Sequence, residues 1–171
     1  MRIQEIMSHP IVTCPVDSTL HHAARLMWEY DCGIIPIVGD DGRLVGVVTD
    51  RDACMAAYTQ GRPLSEIPIA TAMAKDVVAS HTSDTLEAVE SLMKASQVRR
   101  VPVVDGEYRP VGLVSINDLA RLAARAHRNG VDRQVVETLA AVSQPRGNAE
   151  PAARDSAGGV KAAEDRVAVV V

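Results

Sequence analysis

The chain repeats itself without a gap at a spacing of 66 residues. Pro36-Ile37-Val38 returns as Pro102-Val103-Val104, and Val45-Gly46-Val47-Val48-Thr49 returns as Val111-Gly112-Leu113-Val114-Ser115. A register this constant indicates one structural unit built twice. Duplicated units usually pack about a pseudo-two-fold axis, so a cleft between them meets each residue type once from either side. We therefore expect the function where the two copies face each other.

The composition limits the class of protein. At 171 residues the chain suffices for one compact domain or two small ones that share an interface. Its formal net charge of −4 argues against a general nucleic-acid binder, which is normally basic. No apolar run approaches the ~18 residues of a membrane span, and the N-terminus lacks the form of a signal peptide. Three cysteines at unrelated spacings make no disulfide framework, so we expect a cytoplasmic protein with reduced thiols.

Each copy shows the pattern strand, helix, strand, strand, helix. The fold class predicted is α/β, of the mixed α+β kind, with two pseudo-two-fold-related β-α-β-β-α repeats. Asp17 or Ser18 is predicted to cap the first helix, and Thr49 to open the second. Apolar runs joined by Asp-Gly turns predict a hairpin in each copy. The predicted elements are strand 11–13, a helix to about 30, hairpin 34–38 and 44–48, helix 49–58, strand 77–79, helix 84–96, hairpin 100–104 and 111–114, and helix 115–127.

The predicted domain boundaries follow the repeat. The first repeat covers residues 1–62 and the second 63–128, and the glycine and prolines within 60–70 indicate a linker. Residues 129–143 predict one further amphipathic helix, with Val135, Leu139 and Val142 along its apolar stripe. Residues 144–171 are rich in Ala, Gly and charge, which is typical of a flexible tail.

The corner between the last strand and last helix of each copy is chemically distinctive. Thr49 precedes Asp52 by three positions, and Ser115 precedes Asp118 in the same way. This spacing resembles a capping box that stabilises a helix start. The same geometry suits a ligand, because an ionised carboxylate accepts two ribose hydroxyls and free N–H groups at a helix start bind phosphate. Both interpretations remain open on spacing alone.

With these corners in place, the chain resembles a tandem CBS-domain pair, or Bateman module. The resemblance covers about residues 3–126 and rests on the duplicated element order, Met7 and Met73, the apolar run before Pro36 and its repeat, and the Gly-x-x-Thr/Ser-x-x-Asp endings. It implies a regulatory, non-enzymatic module that binds AMP, ADP or ATP, or S-adenosylmethionine, between the repeats. It also implies a homodimer that acts on a regulated protein partner, with no required cofactor, nucleic acid or membrane.

The resemblance also implies which residues hold the ligand. Thr49 and Asp52 would bind ribose in one site, and Ser115 and Asp118 in the other. Two arginines would approach the phosphates of the first site, where the second has Gly33-Ile34, so we expect unequal sites. The structural alternatives are that the arginines lie at an exposed strand start and that the pocket residues belong to the ordinary core. The remaining predicted site residues are Arg99, Arg100, Arg51, Val12, Thr13, Val78 and Ala79.

Two other functions stay open. One is a stress-associated structural or interaction dimer without nucleotide binding. The other is a thiol- or metal-based sensor that uses Cys14, predicted to be accessible, with nearby histidines. Cys32 and Cys54 are predicted to be small buried residues. The histidines concerned are His9, His21 and His22.

The apolar helix faces support the predicted homodimer. One pairing of repeats within the chain is not expected to cover all of them, and large exposed apolar patches mark interfaces. No arrangement of nucleophile, base and acid suggests catalysis. The faces are formed by Leu20, Ala23, Ala24 and Met27 in the first repeat and by Leu86, Val89, Leu92 and Met93 in the second.

Overall fold

The computed structural model describes residues 1–126 and 131–144. It confirms the predicted mixed α+β architecture of two β-α-β-β-α repeats, followed by a fifth helix. None of the described helices is long and apolar enough to cross a bilayer. The elements are β1 (Cys14–Pro15), α1 (Leu20–Glu29), β2 (Ile34–Val38), β3 (Leu44–Thr49), α2 (Asp50–Gln60), β4 (Ser80–His81), α3 (Leu86–Ser96), β5 (Arg100–Val104), β6 (Pro110–Ser115), α4 (Ile116–Ala126) and α5 (Val131–Val142).

The two sheets have the same topology and register. In each, a short parallel strand and a longer antiparallel strand flank the central strand, giving the orders β1-β2-β3 and β4-β5-β6. Pro36 lies opposite Val47, and Pro102 lies opposite Leu113. The antiparallel register shifts at the same point in both sheets, just before the last residue of β2 and of β5. The repeat therefore extends to irregularities of the backbone.

The predicted strands at 11–13 and 77–79 are wrong by position. The paired strands begin at Cys14 and Ser80, where the chain first meets β2 and β5. Val77 and Ala79 instead pack against a cluster of buried side chains between the two repeats. β-Branched residues favour extended backbone, but they do not determine which stretch finds a partner strand.

The predicted caps of α1 are also wrong. Thr19, not Asp17 or Ser18, is the N-cap, and its side chain makes no capping hydrogen bond. The N–H of Leu20 donates to the carbonyl of Ile67 at 3.0 Å instead. A free donor at the start of α1 is thus satisfied by a backbone carbonyl that is distant in sequence. Similarly, α3 begins at Leu86, two residues later than predicted.

The segments that precede the repeats are exchanged in space. The predicted linker is ordered by two 3₁₀ turns, at Leu64–Glu66 and Ile69–Thr71, and Ile67 is fully buried in the core of the first repeat. The N-terminal segment does the converse, because Ile3 is fully buried in the core of the second repeat. Each repeat is thus completed by the segment that leads into the other.

Two glycines make this exchange possible. A Cβ on Gly46 would lie 2.6 Å from Met73 Sδ and 3.0 Å from the Ala74 carbonyl oxygen. A Cβ on Gly112 would collide with the side chain of Met7. Because glycine within a strand lets another part of the chain come close, the glycine of each corner admits the facing segment.

Helix α5 packs against α3 and α4 through a face slightly different from the prediction. Val135 and Val142 are buried, and Thr138 between them is fully buried. Leu139, predicted on this face, is 47% exposed, because the observed contact follows positions 135, 138 and 142. Beyond Gln144, the predicted tail lies outside the described residues.

The helix faces expected to form the dimer interface are mostly buried within the chain. Among them only Ala24 and Leu92 are partly accessible, and the others belong to the cores of their own repeats. The exposed large apolar side chains of the first two helices are instead Trp28 at 89%, Met55 at 46% and Tyr58 at 80%.

Candidate ligand-binding site

Both strand-to-helix corners are reciprocal capping boxes. The Thr49 N–H and hydroxyl donate to Asp52 Oδ2 at 2.9 and 2.7 Å, and the Asp52 N–H donates back to Thr49 Oγ1 at 3.2 Å. Ser115 and Asp118 repeat the arrangement at 2.8, 2.6 and 3.3 Å. The capping interpretation is therefore correct. It uses one oxygen of each carboxylate, and the ligand interpretation depends on the other.

The second carboxylate oxygen differs between the corners. Asp118 Oδ1 accepts hydrogen bonds from Ser8 Oγ at 3.2 Å and from the Arg121 guanidinium. Asp52 Oδ1 has no hydrogen-bond donor among residues 1–126 and 131–144. Asp52 is half-buried, whereas Asp118 is buried at 7% exposure. The first corner can thus accept an outside donor without breaking an internal hydrogen bond.

Two cavities lie at the junction of the repeats and are related by the same 66-residue shift. The first cavity encloses about 370 Å³ of empty space and the second about 730 Å³, and both are partly open to solvent. The first cavity is lined by Ile34, Val47, Val77, Val78, Ser96, Val98, Arg100 and Pro102. The second cavity is lined by Ser8, Pro10, Ile11, Val12, Tyr30, Asp31, Cys32, Ile34, Pro36 and Leu113.

Each corner adjoins one cavity. Ser8 bonds Asp118 and also lines the second cavity, so the Ser115–Asp118 corner lies there. Val47, two residues before Thr49 on β3, lines the first cavity, as its counterpart Leu113 lines the second. The repeat therefore puts the Thr49–Asp52 corner beside the first cavity.

The predicted site residues divide into those at the cavities and those away from them. Val12 and Val78 line the second and first cavity, respectively. Ala79 packs into the buried cluster between the repeats, and Thr13 is half-buried one residue beyond Val12. Arg100 lines the first cavity.

The other two arginines are exposed. Arg99 precedes β5 and is not among the residues that line either cavity. Arg51 lies on the first turn of α2, where its N–H donates to Asp50 Oδ1 at 2.7 Å. Of the three arginines predicted at the site, Arg100 alone is therefore among the residues that line these two cavities.

Sequence reasoning missed two polar residues at the junction. Ser8 binds Asp118 across 110 positions of chain, and Asp50 lies near Arg100, as described below. Spacing within one copy cannot reveal either contact, because both join opposite repeats. The only signal was the exception to the repeat itself, since Ser8 corresponds to Ala74 and Asp50 to Ile116.

The cysteines differ from the prediction. Cys14 is fully buried, and burial raises the pKa of its thiol. Cys32 is half-buried, and its pKa is also raised by burial, while Arg100 lowers it in part. Cys54, predicted to be buried, is exposed. Within the described part of the chain, no group of three or more His, Cys, Asp or Glu residues could hold a metal ion, so Cys14 and the histidines form no such site there.

Comparisons with known proteins agree with this architecture. The CBS domain matches residues 3–58 and 64–125. YhcV, a CBS domain-containing protein of Bacillus subtilis, is 34% identical over 118 residues, which cover 69% of this chain and 82% of that protein. The chain belongs to the CBS-domain family.

Two solved structures share the fold of the paired repeats. The CBS domain pair of protein MJ0100, in complex with 5′-methylthioadenosine and S-adenosyl-L-methionine, superposes with a TM-score of 0.65 at 28% identity and covers 72% of this chain and 96% of that one. The structure of Hypoxic Response Protein I with two coordinated zinc ions superposes with a TM-score of 0.64 at 32% identity. The match covers 71% of this chain and 98% of that one. The curated hypoxic response protein 1 of Mycobacterium tuberculosis is 33% identical over 118 residues, 69% of this chain and 82% of that protein.

Proposed function

We propose that this chain is a regulatory module that binds an adenosyl ligand, AMP or a close relative, in the first cavity. The observation that carries the proposal is Asp52 Oδ1, which accepts no hydrogen bond from the described residues and lies beside a cavity that Arg100 lines. An ionised carboxylate there can accept a hydrogen bond from each ribose hydroxyl. Charge-assisted bonds of this kind are about twice as strong as neutral ones.

The walls of the first cavity suit the rest of such a ligand. Val77, Val78 and Pro102 supply apolar surface for an adenine ring. The Arg100 guanidinium supplies donors for a phosphate, which it can bind through two parallel hydrogen bonds. The adenosyl compounds bound to the related MJ0100 pair support the same ligand class.

The two aspartates test this proposal as a matched pair, because both cap a helix in the same way. We expect Asp52→Ala to weaken AMP binding at the tighter site by about ten- to a hundredfold, corresponding to roughly 1.5–3 kcal/mol for a charge-assisted hydrogen bond. Asp118→Ala should leave that site intact and affect only a weaker one, since Asp118 is already satisfied internally. Isothermal titration calorimetry measures both, and circular dichroism checks that each variant is folded. Loss of the tight site in Asp118→Ala alone would reverse the assignment.

The arginines separate a phosphate role from a packing role. We expect Arg100→Ala to weaken AMP binding while adenosine binding stays nearly unchanged, because adenosine carries no phosphate. Arg99→Ala, one residue away and exposed, is the matched control and should have little effect. An equal loss for adenosine and AMP in Arg100→Ala would assign Arg100 to packing.

We further propose that the module works as a cytoplasmic homodimer and passes ligand occupancy to a regulated protein partner. Trp28, Met55 and Tyr58 give the first repeat an exposed apolar surface for self-association. A ligand that bridges both repeats can shift their relative arrangement by as much as its differential affinity for the two arrangements.

A further inference from the structure

An acidic side chain from the first repeat faces the cationic end of the first cavity. A Cβ built on Gly33 would lie 3.1 Å from Asp50 Oδ2 and 3.4 Å from Arg100 Nη2. The carboxylate and the guanidinium therefore approach the same point from opposite repeats, and the absence of a side chain on Gly33 leaves the space between them open. Arg100 lines the cavity itself.

The two oxygens of Asp50 have different surroundings. Oδ1 accepts the N–H of Arg51 at 2.7 Å, which satisfies one free donor at the start of α2. Oδ2 points toward the Gly33 position and so toward Arg100. Asp50 is an exposed residue, so the field of its carboxylate reaches the cavity mouth through solvent.

The fold does not require this arrangement. Around the second cavity, the 66-residue relation places Ile116 in the position of Asp50, Arg99 in that of Gly33, and Ile34 in that of Arg100. Ile116 starts α4 as Asp50 starts α2, but its side chain carries no charge. The acid beside the arginine is thus a property of the first cavity alone.

We propose that Asp50 limits the first cavity to adenosyl ligands with few phosphate charges, and that it selects a monophosphate over a triphosphate. This inference rests on the proposed adenosyl-binding function. A carboxylate near the guanidinium offsets part of its attraction for a phosphate, and each additional phosphate brings further negative charge toward the same carboxylate. One lining arginine suffices for a single phosphate but leaves a triphosphate chain facing Asp50.

The test compares adenosine, AMP and ATP on Asp50→Asn by isothermal titration calorimetry at low, constant ionic strength without divalent cations. We expect ATP affinity to rise about fivefold to tenfold, AMP affinity to rise less, and adenosine affinity to stay constant. Asp40→Asn removes the same charge from the exposed turn between β2 and β3 and is the matched control. Asp50→Ser, which keeps a polar residue that favours helix starts, covers the case in which Asp50→Asn folds poorly.

The outcomes distinguish this inference from the function on which it rests. If adenosine and AMP bind in an Asp52-dependent manner but the ATP-to-AMP ratio is the same in Asp50→Asn and Asp40→Asn, the role of Asp50 is wrong and the proposed function stands. A fall of ATP affinity in Asp50→Asn also overturns it. If the unmodified chain binds none of the three compounds, both proposals fail.

Discussion

At the scale of single residues, Glu90 departs most clearly from ordinary core chemistry. It lies on α3 at 1% exposure, and neither carboxylate oxygen has a hydrogen-bond partner within the described residues. Burial raises the pKa of Glu90, and Glu87 adds to the increase, whereas Lys94 lowers it in part. Its counterpart in the first repeat is Ala24. The second repeat therefore buries an acid where the first has a methyl group.

This burial makes stability depend on pH. Because the folded-state pKa of Glu90 lies above its unfolded value, the folded chain holds the proton more tightly. The contribution of Glu90 to the stability of the fold is complete below its pKa in the unfolded chain. It is lost as the pH rises through its pKa in the folded chain. We expect Glu90→Gln to raise the melting temperature above that window and to flatten its pH dependence. Each 1 kcal/mol gained corresponds to about 2–4 °C in a chain of this size. Thermal melts from pH 4 to 8 measure this, and an unchanged slope would contradict it.

The two junction glycines give a second prediction at this scale. We expect Gly46→Ala to destabilise the chain more than Gly112→Ala. At Gly46 the three nearest atoms to the new methyl include the Ala74 carbonyl oxygen as well as Met73, whereas at Gly112 all three belong to the flexible side chain of Met7. Overpacking of this kind costs about 1–3 kcal/mol. Urea unfolding compares the two, and equal losses would show that the junction adjusts equally on both sides.

At the scale of elements, α5 makes the second repeat different from the first. It covers α3 and α4, while the corresponding groove between α1 and α2 remains open with a volume of about 680 Å³. Val135 and Val142 on the inner side of α5 are buried, and Val136 on its outer side is 64% exposed. The helix therefore covers one of the two equivalent grooves.

Adjacent valines test the packing of this helix. We expect Val135→Ala to lower the free energy of unfolding by about 1.5–3 kcal/mol, since it removes buried apolar surface. Val136→Ala makes the same chemical change at an exposed position, so its effect should stay within about 0.5 kcal/mol. Chemical denaturation gives both values. Equal effects would mean that α5 does not contribute to the cooperative fold.

The sequence predicted those elements whose signals are local. β2, β3, β5 and β6 follow from apolar runs closed by Asp-Gly turns, and both capping corners follow from three-residue spacing. β1, β4 and the start of α1 were misplaced because distant partners decide them, as the carbonyl of Ile67 does at Leu20. At the candidate site, Thr49 was predicted from the repeated motif, and Arg100 from the resemblance to CBS-domain pairs. Asp50 was not, because its significance comes from Arg100 on the opposite repeat.

At the scale of the whole molecule, the two halves expose different surfaces. The open groove of the first repeat carries the chain's one tryptophan on its rim. The same position in the second repeat is Lys94. An apolar groove with an aromatic rim is typical of a surface that another molecule covers, and we expect it to be the contact between two copies.

Exchanging the rim residue tests this contact. We expect Trp28→Lys, which places the residue of the second repeat at this position, to shift the chain from dimer to monomer at micromolar concentration. Light scattering measures the mass. In the unmodified chain, dilution through the dissociation range should shift the tryptophan emission to longer wavelength as Trp28 becomes solvated. Arg25→Lys on α1, also exposed, is a control that should leave the dimer intact. A monomer in the unmodified chain would contradict the proposal.

Because each repeat is completed by the segment that leads into the other, the folding units of the chain do not coincide with its sequence repeats. A cut between the sequence repeats would not release two equal folding units. The unit built around the first sheet is continuous, since residues 64–74 follow it directly and complete its core. The unit built around the second sheet is split, because it needs residues 1–8 from the far end, where Ser8 pairs with Leu113. Two halves that share one element order and one strand register therefore differ in autonomy, and only one could be excised whole. The other closes only when the opening residues reach β6, across a loop that spans the entire first half.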